Sequence, residues 1–307
     1  MAEVVTVGHI LTDIRIMTDE FATPDRESHV IEMSYGPGGS AANSAVAAKF
    51  LGKSSAVMAK VGMDNFGRMA LEEIMRYGVD ITGVRIKVGG RTGFTLIIIN
   101  RKGEIEMYGY KGVSEEFFPE DVDLKLLKDA KHLHVASLRL DTTRWILKEA
   151  KKTEISTTFD PGRRLARLGI EEFRPILPYV DYLLINFEEF RMLTGTSNLE
   201  DGISILQKAG ASGIVVKRGS KGVIFVKGKK KVELPAFEVE VVDTTGAGDA
   251  FAAGFFVALL DGFSEEDAIK FGNAVAALKV TKLGAQFTYT KEDVLEFLAS
   301  RGINLES

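Results

Sequence analysis

The sequence contains no cysteine among its 307 residues, and this absence excludes disulfide bonds, thiolate metal sites and cysteine nucleophiles. Long apolar runs are also missing, because the longest, residues 250–260, falls short of the ~20 residues that a membrane helix requires. The N-terminal segment has no basic stretch typical of a secretory signal. We therefore expect a cytoplasmic protein with no membrane partner.

Neither charge sign is in large excess. The 39 Lys and Arg residues and 43 Asp and Glu residues give a formal charge of −4, and the basic residues are scattered apart from a short run at 227–231. Duplex nucleic acid attracts clustered basic side chains, so this distribution argues against a nucleic-acid partner. The short run contains Gly228 and lies between apolar stretches, which predicts a hairpin turn.

Proline is scarce, with 7 residues, whereas 45% of the chain is hydrophobic and 27% is charged. This composition is typical of an ordered globular protein and excludes a disordered or low-complexity chain. We expect one large domain over residues 1–307, because an α/β sheet covered on both faces often reaches this length.

Apolar, β-branched runs alternate with segments of helical periodicity along the chain. The runs predict buried strands at 4–7, 56–61, 132–136, 155–159, 182–185 and 214–217. The periodic segments predict helices at 41–51, 66–77, 142–151 and 199–209, followed by a helix-rich part at 246–261, 265–281 and 291–300. This alternation predicts a mainly parallel sheet with helices on both faces.

Two stretches, at about 14–36 and 91–112, interrupt this alternation with strand patterns that no helix follows. We interpret them as one small β-sheet that is inserted twice and projects from the main body. A lid over a ligand cleft is the natural use of such a sheet.

Two glycine-containing loops resemble nucleotide motifs. Residues 47–54 approach a P-loop but end a predicted helix, so we interpret them as a helix stop. Residues 36–41, Gly-Pro-Gly-Gly-Ser-Ala, match a dinucleotide-binding pattern and leave an NAD-dependent oxidoreductase as an alternative. That pattern belongs on the first strand-to-helix turn of its fold, whereas this loop follows the predicted lid strands.

A third loop, residues 242–251, opens a helix of small and apolar residues. Gly246, Ala247 and Gly248 can direct backbone N–H groups at an anion, and the helix dipole adds to them. Asp249 lies in the first turn beside this anion hole. A helix-capping carboxylate is the alternative interpretation of Asp249. A carboxylate next to N–H donors suits a base that takes a hydroxyl proton during phosphoryl transfer.

Several motifs, taken in order, resemble the ribokinase-like (PfkB) family of carbohydrate and nucleoside kinases. They are Asp-Thr-Thr-Gly-Ala-Gly-Asp-Ala-Phe at 243–251, Gly-Gly-x-Ala-x-Asn at 38–43, Val-Gly-x-Asp-x-Phe-Gly at 61–67, Asn-Phe-Glu-Glu at 186–189 and Lys-Arg-Gly-Ser-Lys-Gly at 217–222. The resemblance implies a three-layer α/β/α body with a small β lid that forms a homodimer interface. It also implies ATP-dependent phosphorylation of a sugar hydroxyl.

The family's roles transfer to matching positions of this chain. The resemblance implies that Asp249 is the general base and that Gly246, Ala247 and Gly248 form the anion hole. Asn186 and Glu189 would organise Mg²⁺, through water because Mg²⁺ gives up its hydration reluctantly. Their alternative role is a helix cap followed by a capping-box glutamate. The residues that would line the nucleotide are Asn186, Lys217, Gly219, Gly222, Gly246, Gly248, Asn273 and Ala277, with Gly284 near the adenine.

Some family members bind a monovalent cation such as K⁺ beside the anion hole, largely through backbone carbonyls. The positions that match in this chain are Asp243, Thr245, Lys279 and Gly284. We expect a monovalent cation here from the resemblance alone.

The acceptor side resembles the family at Asp13, Gly38, Gly39 and Asn43, and an aspartate can accept hydrogen bonds from vicinal hydroxyls. Residues 160–164 and 110–114 resemble two elements of the keto-deoxy sugar acid kinases, with Gly162 in place of Asn and Lys111 in place of Arg. Lys111 and Arg164 would suit a carboxylate or phosphate on the acceptor, and surface solvation is the alternative for Arg163 and Arg164.

Three acceptor classes therefore remain open. They are an anionic sugar, such as 2-keto-3-deoxygluconate or a sugar phosphate, a neutral ketose or pentose, and a nucleoside. A nucleoside pocket offers aromatic stacking surfaces, which Phe94, Tyr108 and Tyr110 of the predicted lid would supply, although aromatic residues in strands more often serve packing.

Two other classes of protein fit the sequence less well than a kinase does. A sugar-binding regulator built on an inactive kinase would have lost Asp249 or the anion hole, and both are present. A metal hydrolase is disfavoured because the four histidines include no H-E-x-x-H pattern. His132 and His134 lie on a predicted strand, which indicates sheet packing.

Overall fold

The structure, a computed structural model, describes residues 2–305 and divides their strands between two sheets. The strands are β1 (Val4–Gly8), β2 (Leu11–Thr18), β3 (Val30–Gly38), β4 (Ser55–Gly62), β5 (Val84–Lys87), β6 (Thr92–Asn100), β7 (Ile105–Gly112), β8 (His132–Ala136), β9 (Ser156–Asp160), β10 (Tyr182–Asn186), β11 (Gly213–Lys217), β12 (Val223–Lys227) and β13 (Lys230–Leu234).

Most of the helices match the predicted segments, whereas the three between residues 162 and 194 were not among them. The helices are α1 (Ser40–Phe50), α2 (Asn65–Arg76), α3 (Leu140–Ala150), α4 (Gly162–Ala166), α5 (Ile170–Phe173), α6 (Phe187–Thr194), α7 (Leu199–Lys208), α8 (Ala247–Leu260), α9 (Glu265–Lys279) and α10 (Lys291–Ala299). None of the helices within residues 2–305 combines the length and apolar character that crossing a bilayer requires.

The larger sheet has the strand order β13-β12-β11-β10-β9-β8-β1-β4-β5. Strands β11 to β5 in this order pair in parallel, whereas β12 and β13 form an antiparallel hairpin at one edge. The hairpin turns at Gly228, which has a φ of 58°, so the turn predicted from the basic run at 227–231 is confirmed.

Apolar side chains alternate between the two faces of the larger sheet. On β10, Leu183 and Ile185 join the core under α3, α4, α6 and α7, whereas Leu184 joins the core formed with α8, α9 and α10. Successive strand residues point to opposite faces, so one strand contributes to both cores. The predicted α/β/α body is confirmed: helices cover both faces of a mostly parallel sheet.

The predicted small sheet is also confirmed. It has the order β3-β2-β6-β7, in which β2 and β6 are parallel and the outer pairs are antiparallel. Its first part begins at Leu11 and ends at Gly38, a few residues outside the predicted 14–36. Because β2 starts three residues after β1 ends, the lid rises directly from the carboxyl edge of the main sheet.

The loop at 47–54 ends a helix, as predicted. Helix α1 stops at Phe50, and Gly52 follows with a φ of 89°. The parallel strands β1, β8, β9, β10 and β11 all end at one edge, at Gly8, Ala136, Asp160, Asn186 and Lys217. Parallel sheets bind ligands at this edge.

Candidate active site

Helix α8 begins at the loop that the sequence marks as an anion hole. Gly246 precedes it with a φ of 77°, and a Cβ at this position would lie 2.2 Å from the carbonyl oxygen of Ala285, so only glycine fits. The N–H of Ala247 donates to the carbonyl of Thr244 at 3.2 Å, so Ala247, predicted as a third donor, is engaged within the turn. By helix geometry the N–H groups of Gly248 and Asp249 point out of the first turn.

Asp249 lies at the centre of the site. Its Oδ2 accepts a hydrogen bond of 2.7 Å from the Asn43 amide, whose Oδ1 accepts one of 2.7 Å from Gln286. Burial raises the pKa of Asp249 to about 6, and the negative charge of Asp160 adds to this effect. A carboxyl group held in one orientation with a raised pKa suits a general base. Sequence reasoning missed Gln286, which has no motif of its own.

Two buried carboxylates and a largely buried lysine form what we call the Lys217 cluster: Asp160, Glu189 and Lys217. The Lys217 ammonium lies 2.6 Å from Asp160 Oδ2 and 3.3 Å from where a Cβ of Gly248 would lie, so it stands beside the anion hole. Burial opposes the charge of Lys217, but the carboxylates of Asp160 and Glu189 outweigh it and raise the pKa of its ammonium. The sequence indicates Asp160 only as the first residue of the motif at 160–164.

Asn186 and Glu189 form a reciprocal capping box at the start of α6, with both hydrogen bonds at 2.9 Å. The structure therefore contains the helix cap and capping-box glutamate that the sequence offered as the alternative role of this pair. Glu189 is 6% exposed, and burial, together with the charge of Asp160, raises its pKa. Within residues 2–305, no group of three or more His, Asp or Glu side chains is arranged to hold a metal ion by itself.

The remaining predicted nucleotide residues lie between the β11–β12 turn and α9. Gly219 and Gly222 flank a short turn with positive φ values of 59° and 82°. The Asn273 amide donates to the carbonyl of Pro235 at 2.7 Å, so this side chain fixes the segment after β13. Ala277 is buried on α9, the same helix that carries Asn273.

On the lid side, Asp13 of β2 faces the cleft and is 4% exposed. A Cβ on Gly38 would lie 2.2 Å from Asp13 Oδ1, so glycine at this position leaves room for the Asp13 carboxylate. Burial raises the pKa of Asp13 to about 6, although the Arg15 guanidinium, 3.3 Å away, works against this. The adjacent Gly39 lies over the backbone of His9 and opens α1.

A second charged group, which we call the Glu115 cluster, contains His9, Lys111, Glu115 and Arg164. Arg164 pairs with Glu115 at 2.5 Å, and His9 Nε2 lies 3.5 Å from the other Glu115 oxygen. Neither that histidine nitrogen nor that oxygen has a hydrogen-bond partner among the described residues, although both atoms are buried. The sequence predicted Lys111 and Arg164 here but not His9 or Glu115.

Burial shifts the pKa values of two basic groups in the Glu115 cluster. Burial, with the nearby charges of Lys111 and Arg164, lowers the pKa of His9 to about 3, so the imidazole is neutral at pH 7. Burial also lowers the pKa of Lys111, whose charge interacts with Glu115, Arg164, Asp13 and Asp249. Arg163 pairs with Glu188, and its side chain is about as exposed as that of Arg164, so the surface position given as the alternative for both arginines is what the structure contains.

The lid aromatics lie on the other face of the lid. Asp13 pairs in register with Thr95, whereas the neighbouring residue Phe94 pairs with Tyr110. Successive residues of a strand alternate faces, so Phe94 and Tyr110 point away from the face that carries Asp13. Their rings lie 5.8 Å apart and pack against each other.

The positions predicted for a monovalent cation are held together by Lys279. Its Nζ donates to the backbone carbonyls of Asp243 at 3.0 Å and Lys282 at 3.4 Å. The Asp243 carboxylate accepts the N–H groups of Thr245 at 2.8 Å and Gly284 at 2.9 Å. A side-chain ammonium therefore already engages carbonyl groups at this site.

The two strand histidines serve packing, as predicted. His132 contacts the hydroxyls of Ser156 and Thr158 at 2.7 and 2.8 Å, and His134 contacts Thr158 at 2.8 Å. His132 also stacks on Phe256.

An oriented carboxylate beside a helix N-terminus, with a largely buried lysine on one side and a polar lid pocket on the other, is typical of a phosphotransferase that acts on a small molecule. The pfkB family carbohydrate kinase model matches residues 1–292. The chain belongs to the pfkB family of carbohydrate kinases. This membership removes the NAD-dependent oxidoreductase alternative, and the residues of its glycine loop instead build the Asp13 pocket.

Individual relatives and a solved structure are kinases of the same kind. The chain is 34% identical to an ATP-dependent ribose-1-phosphate kinase of Halopiger xanaduensis, with 98% of this chain and 99% of the relative covered. It is 30% identical to a probable fructokinase-5 of Arabidopsis thaliana, with 92% of each covered. The ribokinase structure of Thermotoga maritima superposes with a TM-score of 0.86 at 31% identity, covering 97% of this chain and 100% of that one.

Proposed function

We propose that this protein is an ATP- and Mg²⁺-dependent kinase that phosphorylates a hydroxyl of a sugar phosphate of the ribose 1-phosphate type. One observation carries the choice of acceptor: the Glu115 cluster sets two cations, Lys111 and Arg164, against one carboxylate. Its unpartnered His9 Nε2 offers a further polar contact. An anionic group on the acceptor would balance this surplus, because Arg and Lys bind phosphate well. The name of the Halopiger relative supports the same class.

In the reaction, Asp249 takes the proton of the acceptor hydroxyl. The freed oxygen attacks the γ-phosphorus of ATP, the bond to the β-γ bridging oxygen breaks, and ADP leaves with that electron pair. Backbone N–H groups of the Gly246 to Gly248 loop and the Lys217 ammonium stabilise the charge on the transferred group. The product is a sugar bisphosphate and ADP.

Mg²⁺ would be held by the carboxylates of Glu189 and Asp160, with water and phosphate oxygens completing its shell. The chemistry that Mg²⁺ supplies when bound is neutralisation of phosphate charge. The fit rests on the donor set, since one oxygen of Glu189 is used by the Asn186 cap and the other is left for a ligand. The cap uses Asn186 Oδ1 and the Asn186 backbone N–H, which leaves the side-chain amide N–H groups of Asn186 for the nucleotide.

The nucleotide would extend from the anion hole along the β11–β12 turn towards α9. Gly219 and Gly222 allow the backbone to approach it, while Ala277 and the segment fixed by Asn273 shape the adenine end. The acceptor would lie against Asp13, Gly38, Gly39 and Asn43, under the lid.

A neutral ketose or pentose is the second candidate, because the fructokinase and ribokinase relatives are named for such sugars. A sugar acid fits the same cations as a sugar phosphate does. A nucleoside is favoured less, because Phe94 and Tyr110 lie on the lid face opposite Asp13.

A coupled assay tests the acceptor. ATP or ADP is the donor, and the acceptors are ribose 1-phosphate, 2-keto-3-deoxygluconate, ribose, fructose and adenosine. We expect the highest kcat/KM for ATP with ribose 1-phosphate. A higher value for an uncharged sugar or for adenosine would contradict the proposal.

Arg164→Ala tests the role of the cations. We expect KM for the anionic acceptor to rise by about 10-fold, the loss of one charge-assisted contact of ~1.5 kcal/mol, with little change for a neutral sugar. Arg163→Ala is the matched control, because that residue is as exposed as Arg164 but pairs with Glu188 and not with Glu115. Equal effects of the two variants, or equal effects on charged and neutral acceptors, would rule out Arg164 as a phosphate contact.

We also propose that two copies of the chain pair through their lids. The support is a group of exposed apolar side chains on the outer strands β3 and β7: Val30, Ile31, Met33, Tyr35, Ile105, Met107 and Tyr108. Sedimentation of the wild type and of Met33→Glu distinguishes a lid-mediated dimer, which the substitution would dissociate, from a monomer or another interface. Location in the cytoplasm stays a prediction.

A further inference from the structure

Lys279, the last residue of α9, carries one of the most deeply buried charges in the described chain. The residue is 1% exposed, and its Nζ donates to the backbone carbonyls of Asp243 and Lys282. No ion pair joins it to a carboxylate within residues 2–305. A buried charge is costly unless it is well solvated by protein groups, so such an arrangement needs a reason.

The two carbonyls belong to the two loops that support the anion hole. Asp243 begins the loop that ends at Gly246, and Lys282 begins the loop that carries Ala285. Gly246 packs directly on the carbonyl of Ala285, and the Asp243 carboxylate links Thr245 of one loop to Gly284 of the other. Val242 and Asp243 also donate to the carbonyl of Val280. Any shift between these loops would move the N–H groups of the anion hole.

The helix end favours a cation at the Lys279 position. The carboxyl end of α9 carries the negative end of the helix dipole, and its last carbonyls lack helical partners. An ammonium group has three N–H donors and one positive charge, and so provides what a monovalent ion would provide among backbone carbonyls. The family resemblance predicts a monovalent ion at these positions, but here the ammonium engages the carbonyl of Asp243 itself.

We propose that the Lys279 ammonium is a tethered monovalent cation, which positions the anion-hole loop and removes the need for dissolved K⁺. It acts through the loop and does not touch the reacting groups, so it is a positioning residue. Because it is covalently attached, the loop would be held in place whatever the ionic composition of the solution.

The first test compares salts with the wild-type protein. Turnover is measured with its best acceptor in KCl, NaCl and tetramethylammonium chloride at equal ionic strength. We expect kcat values that agree within about 2-fold, since the site already holds its cation. Activation by K⁺ of about 10-fold or more over tetramethylammonium would overturn the proposal.

The second test removes the ammonium. In Lys279→Ala we expect kcat to fall by about 10²-fold, because small displacements of catalytic donors have effects of this size. K⁺ or NH₄⁺ should then restore activity by about 10-fold, whereas tetramethylammonium is too large to enter. Failure of both small cations to restore activity would overturn the proposal. Lys282→Met is the matched control, since it changes an exposed lysine in the same loop and keeps the backbone carbonyl.

A third measurement needs no acceptor, so its outcome is independent of the substrate proposed above. K⁺ should raise the melting temperature of Lys279→Ala but not that of the wild type or of Lys282→Met. The absence of such a shift would count against a cation site.

If the alanine variant does not fold, Lys279→Gln tests whether the charge is needed, since it keeps a donor and most of the length but no charge. Wild-type kcat in Lys279→Gln would show that the charge is dispensable and overturn the proposal.

Discussion

The two charged clusters that flank Asp249 differ in their balance of charge. The Lys217 cluster places one ammonium between two carboxylates, Asp160 and Glu189. The Glu115 cluster places two cations, Lys111 and Arg164, around one carboxylate, beside a neutral His9. The first has one negative charge in excess when both acids are ionised, and the second has one positive charge in excess.

In our proposal, this difference in charge gives each side of the cleft its own class of ligand. Excess negative charge beside the anion hole suits a divalent cation, which would arrive with a polyphosphate. Excess positive charge on the lid side suits an acceptor that carries its own anionic group. Asp249 lies between the two, and its charge interacts with both Lys217 and Lys111. An overall charge of −4 is therefore compatible with two anionic substrates, because the charges that bind them are local.

The largest expected effect is at Asp249, where the two sides meet. Asp249→Asn should lower kcat by ~10²–10⁴-fold with nucleotide binding retained, because the base is lost. It should also raise the melting temperature at pH 7.5, because burial raises the pKa of Asp249, so the ionised form is disfavoured in the folded protein above about pH 6. Steady-state kinetics and thermal melts measure the two effects.

Asp64→Asn is the matched control for the melts. Asp64 caps α2, and hydrogen bonds from Thr92 and Gly67 outweigh its burial and lower the pKa of its carboxyl. Its ionised form therefore stabilises the fold above the ordinary pKa of aspartate, and Asp64→Asn should lower the melting temperature. If Asp249→Asn also lowers it and keeps its turnover, Asp249 is a structural cap.

The next largest effect is expected at the Lys217 cluster, the side of the cleft with excess negative charge. Lys217→Met removes the ammonium next to the anion hole and leaves two buried carboxylates without their cation. Loss of one preorganised donor to a transferring group costs ~10²-fold in kcat, and KM for ATP should rise with it. KM for the acceptor should change little, because the Glu115 cluster is untouched. Isothermal titration with MgATP and initial-rate kinetics separate these effects.

Lys221→Met is the control for Lys217→Met, because Lys221 is exposed in the neighbouring turn. A similar loss in both variants would mean that the turn responds to any change of charge. An acceptor KM that rises as much as the ATP KM in Lys217→Met would break the division of the cleft into two sides.

The sequence predicts the central part of the site and not its surroundings, for a physical reason. Asp249 and Gly246 lie within one contiguous motif whose geometry is local to a helix start. His9 and Glu115 follow strands of different sheets and meet only in the folded chain. Gln286 reaches Asn43 across 243 positions, so no spacing rule indicates the contact.

Most strands and most helices follow directly from apolar periodicity, because the two cores require it. The double role of side chains at helix ends is harder to predict. Asn186 matches both a metal ligand and a helix cap, and only the hydrogen bond to Glu189 distinguishes them. Lys279 matches a position of the family where a cation is bound by backbone carbonyls, so the type of side chain predicts nothing there. Only the structure shows that the Lys279 ammonium donates to the carbonyl of Asp243.

The smallest expected effect is the pH dependence of kcat. The fall of kcat at low pH, its acid limb, shows whether Asp249 or Asp13 is the group that must be ionised. Burial raises the pKa of both Asp249 and Asp13 to about 6. Asp249 must be ionised to accept a proton, so kcat at saturating acceptor should fall towards 10-fold per pH unit below about pH 6. Asp13 binds the acceptor in our proposal, so its protonation should raise KM and leave kcat unchanged. Asp13→Asn should therefore keep the acid limb of kcat, and a limb that disappears in this variant would transfer the role of base from Asp249 to Asp13.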